Sequence, residues 1–250
     1  MGDLKGIILA GGLGKRLGPL TKITNKHLLP VYDQPMIYYP LNLLVDAGVK
    51  DIQIVTGGNH AGEFLRLLGD GQSFGLTHIN YTYQEGEGGI AQALGLARHF
   101  AKSSKIVVVL GDNILEYGIH DHVARFKKQK EGARVLLKKV EDPARFGVAT
   151  LKAGKIVAIE EKPKNPRSDL AVTGVYMYDE QVFDIVKTLK PSKRGELEIT
   201  DVNNAYLRKD QLEFDVLKGW WTDSGTFDSL LHANQLVAEM RQKRKKGPSA

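Results

Sequence analysis

The chain has 250 residues, with 35 lysines and arginines against 29 aspartates and glutamates, a formal net charge of +6. At 42% hydrophobic and 26% charged it is too apolar to be wholly disordered. It contains no cysteine, which excludes disulfide frameworks, thiol nucleophiles and cysteine-ligated metal centres and suits a cytoplasmic location. No apolar run approaches a membrane span, and the apolar stretch at Gly6 to Ala10 is too short for a signal peptide. The basic balance leaves nucleic acid or another anionic ligand open.

Gly6-Ile7-Ile8-Leu9-Ala10 predicts a strand buried on both faces. Ile37, Leu41, Leu44 and Val45 have helical spacing and predict a helix over 36–47. A strand follows at 51–56, a helix at 61–68 closed by Gly69, a strand at 78–83, a helix at 90–100 and a strand at 105–110. This alternation predicts an α/β domain with a mostly parallel, Rossmann-like central sheet flanked by helices. Past residue 133 the rhythm becomes β-rich, with strands expected at 134–140, 147–151, 155–160 and 172–178. Helices are expected at 182–189 and 199–209, a strand at 214–217 and a last helix at 228–240. No linker divides the halves, so 1–240 reads as one domain with parts at about 1–133 and 134–240. The β-rich lobe is expected over the carboxyl edge of the sheet, where open α/β sheets bind ligands.

The strongest local motif is Leu9-Ala10-Gly11-Gly12-Leu13-Gly14-Lys15-Arg16-Leu17, directly after the first strand. Three glycines in four positions let backbone N–H groups approach phosphate oxygens, and Lys15 and Arg16 add charge. Leu17 breaks the dinucleotide fingerprint and Arg16 breaks the Walker pattern. Asn25-Lys26-His27-Leu28-Leu29-Pro30-Val31 follows, with Lys26 able to reach the same phosphates.

Together these two segments resemble the signature of the sugar-1-phosphate nucleotidyltransferases, and further motifs continue the resemblance in order. They are Gln84 with Gly88-Gly89, Leu110-Gly111-Asp112-Asn113, Glu160-Glu161-Lys162-Pro163, Val172 to Tyr176, Arg194 to Asp201 and Trp221-Thr222-Asp223. The most similar branch is glucose-1-phosphate thymidylyltransferase. The resemblance implies joining of dTTP and glucose 1-phosphate into dTDP-glucose and pyrophosphate, a first step toward deoxysugar nucleotides such as dTDP-rhamnose. It implies a nucleotide site of Leu9, Gly11, Gly12, Gly14, Arg16, Lys26, His27, Gln84, Gly89, Asp112 and Asn113. The sugar phosphate would meet Gly147, Glu161, Lys162, Val172, Tyr176 and Arg194, making the second half a sugar-binding lobe. Arg16, Lys26 and Lys162 would act in catalysis, Asp112 and Asp223 would hold Mg²⁺, and the enzyme would be a homo-oligomer, a tetramer or dimer. His27 stands where many relatives have glutamine.

The chemistry agrees with that reaction. Two polyanions must be brought together, which calls for cations and oriented donors. A sugar phosphate is already an anionic nucleophile, so no general base is needed, and one or two carboxylates suit Mg²⁺. A uridylyltransferase could use the same groups, since thymine and uracil present Gln84 with the same edge. A nucleic-acid binder or a non-catalytic sugar-nucleotide sensor is disfavoured, the sensor because Arg16, Asp112, Lys162 and Asp223 are all present. His120-Asp121-His122 is expected to be solvated surface, because alternate helix positions diverge. Arg125-Phe126-Lys127-Lys128 reads as a solvated helix face with Phe126 buried, and Tyr38-Tyr39 as helix packing. Five of the six excess positive charges lie in 241–250, so the basic balance is mostly an expected frayed tail. Longer thymidylyltransferases continue past this point, and weakened feedback control is the corresponding expectation.

Overall fold

The computed structural model describes residues 4–245. In chain order it contains β1 (Lys5–Ala10), β2 (Pro30–Val31), β3 (Gln34–Pro35), α1 (Tyr38–Asp46), β4 (Asp51–Gly57), α2 (Ala61–Leu68) and β5 (His78–Gln84). Then come α3 (Ile90–Gly95), α4 (Arg98–Ala101), β6 (Ile106–Leu110), β7 (Asn113–Leu115), α5 (His120–Lys128), β8 (Ala133–Lys139), β9 (Gly147–Lys152) and β10 (Lys155–Glu161). The chain continues with β11 (Leu170–Tyr178), α6 (Val182–Thr188), α7 (Ile199–Arg208), β12 (Leu212–Val216), β13 (Trp221–Asp223) and α8 (Phe227–Lys245).

The central sheet follows from the apolar run of β1. Ile7 and Leu9 enter the core on one face of the sheet, Ile8 and Ala10 the core on the other. Successive side chains of a strand point to opposite faces, so a strand apolar at every position must be covered on both. β1 pairs in parallel with β4 on one side and β6 on the other, and β4 in parallel with β5. The chain therefore grows outward from β1 to β5 and returns to the opposite edge of β1 with β6. That reversal makes a crevice beyond the carboxyl ends of β1 and β6.

The second half, β-rich as expected, continues this sheet. β11 runs antiparallel to both β6 and β8, and β12 adds in parallel outside β8. The β9–β10 hairpin joins the same sheet beside the first part of β11, through Ala171 and Val148.

The helix expected over 90–100 is two helices, with Leu96 and Ala97 turning between them. β2, β3, β7 and β13 were not expected. Each is two or three residues long and exists through its partner: β7 pairs with β13, β2 with β3. α8 continues to Lys245, so 241–245 are helical and not frayed, and Arg241 Nε lies 3.3 Å from Asp33. The remainder of the expected tail lies outside the described residues. Ser229, Ala233 and Val237, four apart, are the buried stripe of α8. No described helix is long and apolar enough to cross a membrane.

Candidate active site

The loop after β1 opens the crevice. Gly12 has open space where a Cβ would stand, while a Cβ on Gly11 would fall 2.2 Å from Gln84 Oε1. Gly11 thereby leaves room for the Gln84 side chain at the end of β5. Gly14, at φ +66°, does not line the crevice. A Cβ there would come within 2.8 Å of Thr21 and 3.0 Å of Lys26 Cβ, so Gly14 makes room for Lys26.

Lys26 starts a short helical turn whose cap is Asn25. The Asn25 side-chain oxygen accepts from His27 N at 3.0 Å and contacts His27 Nδ1 at 2.8 Å. An acceptor there places the imidazole proton on Nδ1 and leaves Nε2 as an acceptor. Burial, and then the Lys26 ammonium, lower the His27 pKa to about 3, so the ring is neutral at pH 7.

Lys26 Nζ donates to Asp112 Oδ2 at 2.6 Å, and the Asn113 amide donates to Asp112 Oδ1 at 3.0 Å. Burial works to raise the Asp112 carboxyl, but the adjacent Lys26 ammonium and these donors hold it well below the ordinary carboxylate range. Asn113 Oδ1 also accepts from Gly174 N at 2.9 Å and Trp221 Nε1 at 2.7 Å. Asn113 thereby braces the strand ends around Asp112, with its amide occupied inside the protein.

The β7–β13 pair sets Asp223 opposite Asn113, and Ser224 N bonds to the Asp112 carbonyl at 3.0 Å. Two carboxylates over a hundred residues apart thus sit side by side. Asp223 is pushed upward by burial and by the Asp112 charge, against the pull of Arg145 and Arg16. Mutual repulsion of two carboxylates in one crevice fits a divalent cation. Among the described residues no third histidine or acid joins them, as suits a metal that takes its other ligands from substrate and water.

On the opposite wall, Gly147 pairs with Glu161 across β9 and β10, and Thr200 donates to Glu161 Oε2 at 2.6 Å. Lys162 follows with φ +43°, a left-handed backbone unusual for lysine, and its N–H bonds to the Phe146 carbonyl at 3.0 Å. Tyr176 stacks on Tyr178 with centroids 6.1 Å apart. Gly89, at φ +95°, packs so tightly on the 196–197 backbone that a Cβ would lie 2.5 Å from the Leu197 carbonyl oxygen.

All of these walls enclose one cleft of about 400 Å³. Every site residue that the resemblance implied lines it except Gly14 and Arg194, and Lys15 of the glycine loop also stays outside. Arg194 lies just behind, donating to both Glu196 oxygens at 2.8 and 2.9 Å. Gln84 is buried, and its amide nitrogen donates to Gln92 at 2.8 Å and the Gly89 carbonyl at 3.3 Å, so both donors are used within the protein. Sequence reasoning missed Arg145, Phe146, Glu196, Glu198, Thr200 and Asn203, all lining the cleft. The last four fall within or just past the motif from Arg194 to Asp201, which had marked the segment without separating them.

His122 departs from the solvated expectation: its side chain is 14% exposed and Nδ1 lies 3.1 Å from Asp215. His120 is exposed as expected. Phe126 is buried, Tyr39 bonds to the Val31 carbonyl and Tyr38 packs edge-on against Phe74, all as expected.

The family model described as Nucleotidyl transferase matches residues 5–240. The chain belongs to the nucleotidyl transferase family. A glucose-1-phosphate thymidylyltransferase from Neisseria meningitidis is 46% identical over 94% of this chain and 82% of its own length. One from Mycolicibacterium smegmatis is 46% identical over 98% and 86%. Among solved structures, a Bacillus anthracis protein described under the same activity, in complex with a sucrose, superposes with TM-score 0.90. It is 54% identical, covering 94% of this chain and 95% of that one. A UDP-glucose pyrophosphorylase complexed with UDP-glucose has TM-score 0.82 at 23% identity over 95% and 99%, a likeness of fold within this nucleotidyl transferase architecture.

Proposed function

We propose that the protein transfers a deoxythymidylyl group from dTTP to glucose 1-phosphate, giving dTDP-glucose and pyrophosphate. The observation that carries the chemistry is the meeting of Lys26, Asp112, Asp223 and Lys162 around one cleft at the reversal of strand order. The thymidylyltransferases at 46% identity over most of the chain support the choice of substrates.

In this reading the Gly11–Gly12 backbone and the cations Arg16 and Lys26 hold the triphosphate. Gln84 and Gly89 face the base, which requires the Gln84 amide to turn from Gln92. Lys162 holds the sugar phosphate, with Arg194 beside it, and Glu161 accepts from sugar hydroxyls against Val172 and Tyr176. A phosphate oxygen of the sugar 1-phosphate attacks the α-phosphorus as the bond to the leaving pyrophosphate breaks, in line. Arg16 and Lys26 stabilise the charge that grows on the leaving group. Asp112 and Asp223 would hold Mg²⁺, which when bound neutralises charge on the transferred phosphoryl group.

The test is pyrophosphate release with Mg²⁺ across dTTP and UTP and across several sugar 1-phosphates. Release that requires both dTTP and glucose 1-phosphate, and that falls at least about 100-fold in Lys162→Ala, is expected. Faster release from UTP would replace the reading with a uridylyltransferase, and no release would end it.

A further inference from the structure

Arg145 has no place in the motifs that mark the cleft, yet it lines the cleft and is 41% exposed at its side chain. Its Nη2 donates to Asp223 Oδ1 at 3.1 Å and lies 3.5 Å from Oδ2. The guanidinium carbon sits 5.2 Å from the Phe146 ring centroid, and that ring packs on Trp221 at 5.0 Å. The side chain is thus held at one edge by a carboxylate and on one face by an aromatic ring. A guanidinium has five N–H donors, so donors remain for a ligand. The backbone ties it to Lys162, because the Phe146 carbonyl next to Arg145 accepts the Lys162 N–H at 3.0 Å. Two cations therefore reach the same cleft from one backbone junction. Arg194, by contrast, is engaged by Glu196 and lies 3.6 Å from both Glu161 and Glu198.

We propose that Arg145 is a binding cation for the sugar 1-phosphate. Its free edge, together with Lys162, holds the dianionic phosphate, and Asp223 and Phe146 orient it for that contact. The assignment rests on the reaction proposed above. It matches two cations to a doubly charged group, in the planar fork geometry that suits phosphate.

The experiment measures pyrophosphate release by wild-type, Arg145→Ala and Arg145→Lys chains, varying glucose 1-phosphate and dTTP in turn with Mg²⁺ in excess. Arg145→Ala is expected to raise KM for glucose 1-phosphate about ten- to a hundredfold and to leave KM for dTTP within about twofold. Arg145→Lys keeps the charge but loses the fork, and should raise the same KM by about three- to tenfold. An unmoved KM for glucose 1-phosphate overturns the assignment. So does a higher Mg²⁺ or dTTP requirement with glucose 1-phosphate unaffected, since Arg145 would then act only through Asp223. If Arg145→Ala does not unfold cooperatively, Arg145→Lys alone decides. Wild-type protein that releases no pyrophosphate from this pair overturns the reaction as well, whereas active wild type with a flat Arg145 series overturns only the assignment.

Discussion

Lys26 Nζ lies 2.6 Å from Asp112 Oδ2, with the two side chains 13% and 14% exposed. The pair joins the turn after the glycine loop to the end of β6, so it sets the spacing between that loop and the carboxylates of the cleft. Removing one partner of a mostly buried pair strands the other charge, at a cost of about 3–5 kcal/mol when burial is complete. Asp112→Asn should therefore lose about 2–4 kcal/mol of stability and nearly all turnover. Pairing it with Lys26→Met should recover most of the stability and none of the activity. Denaturant midpoints and pyrophosphate release for the wild type, Asp112→Asn and the double variant check both halves. Wild-type stability in Asp112→Asn would show that the pair does not hold the strand ends together.

His27 makes acid the sensitive direction. Its pKa falls from 6.5 to about 3 on folding, because burial and then Lys26 oppose the charged ring. The unfolded chain binds a proton that the folded chain refuses, so stability is complete above pH 6.5 and declines as pH falls toward 3. The slope from this residue is about 1.4 kcal/mol per pH unit across that window. His27→Gln should fold and flatten the profile between pH 6 and 4, measured as unfolding midpoint against pH. An unchanged slope would place the acid sensitivity elsewhere.

The parts of this fold that were legible in the sequence are those written in local pattern. The unbroken run at Ile7 to Ala10 marks a doubly covered strand because both faces need apolar side chains, and both cores use it. α2 falls on its expected bounds because its apolar spacing ends at a glycine. The illegible parts depend on partners distant in sequence. β13 has three residues and forms because β7 offers it an edge, and that pairing brings Asp223 to Asp112. Arg145 sits in a turn whose sequence resembles any polar loop. Only the fold shows that Asp223 waits across the cleft. His122 looked solvated because helix spacing separates it from His120, but β12 supplies Asp215 beside it.

The glycines of the cleft divide by what a methyl group would meet. At Gly12 it would meet nothing, so Gly12→Ala should melt like the wild type and show only a raised KM for the nucleotide. At Gly89 a Cβ would stand 2.5 Å from the Leu197 carbonyl oxygen, on a backbone at φ +95°. The contact is backbone to backbone, so no side chain can rotate to relieve it. Gly89→Ala should cost about 2 kcal/mol or more and should weaken the bonds from Leu197 N to the Gly88 carbonyl and from Ala91 N to the Leu197 carbonyl, both intact here. Amide hydrogen exchange at Ala91 and Leu197 reads that loss directly. Equal melting of the two variants would mean that the loop relaxes more freely than its packing indicates.

Asp215 offers the converse case, a charge cluster that carries stability and no chemistry. Its carboxylate on β12 is met by Arg134 Nη1 of β8 at 3.0 Å, and by Arg125 Nε at 3.0 Å and His122 Nδ1 at 3.1 Å, both of α5. Arg134 and Asp215 are 11% and 15% exposed, whereas Arg125 is 49% exposed. The cost of removing a partner therefore concentrates on Arg134, whose charge has nowhere to go once Asp215 is neutral. Asp215→Asn should lower stability by about 2–3 kcal/mol, and Arg125→Ala by less than about 1 kcal/mol because water already screens that contact. None of the four residues lines the cleft, so kcat and both KM values should stay within about twofold in either variant. A shift in KM for glucose 1-phosphate in Asp215→Asn would reveal that the outer edge of the sheet reaches the cleft through β8 and β11.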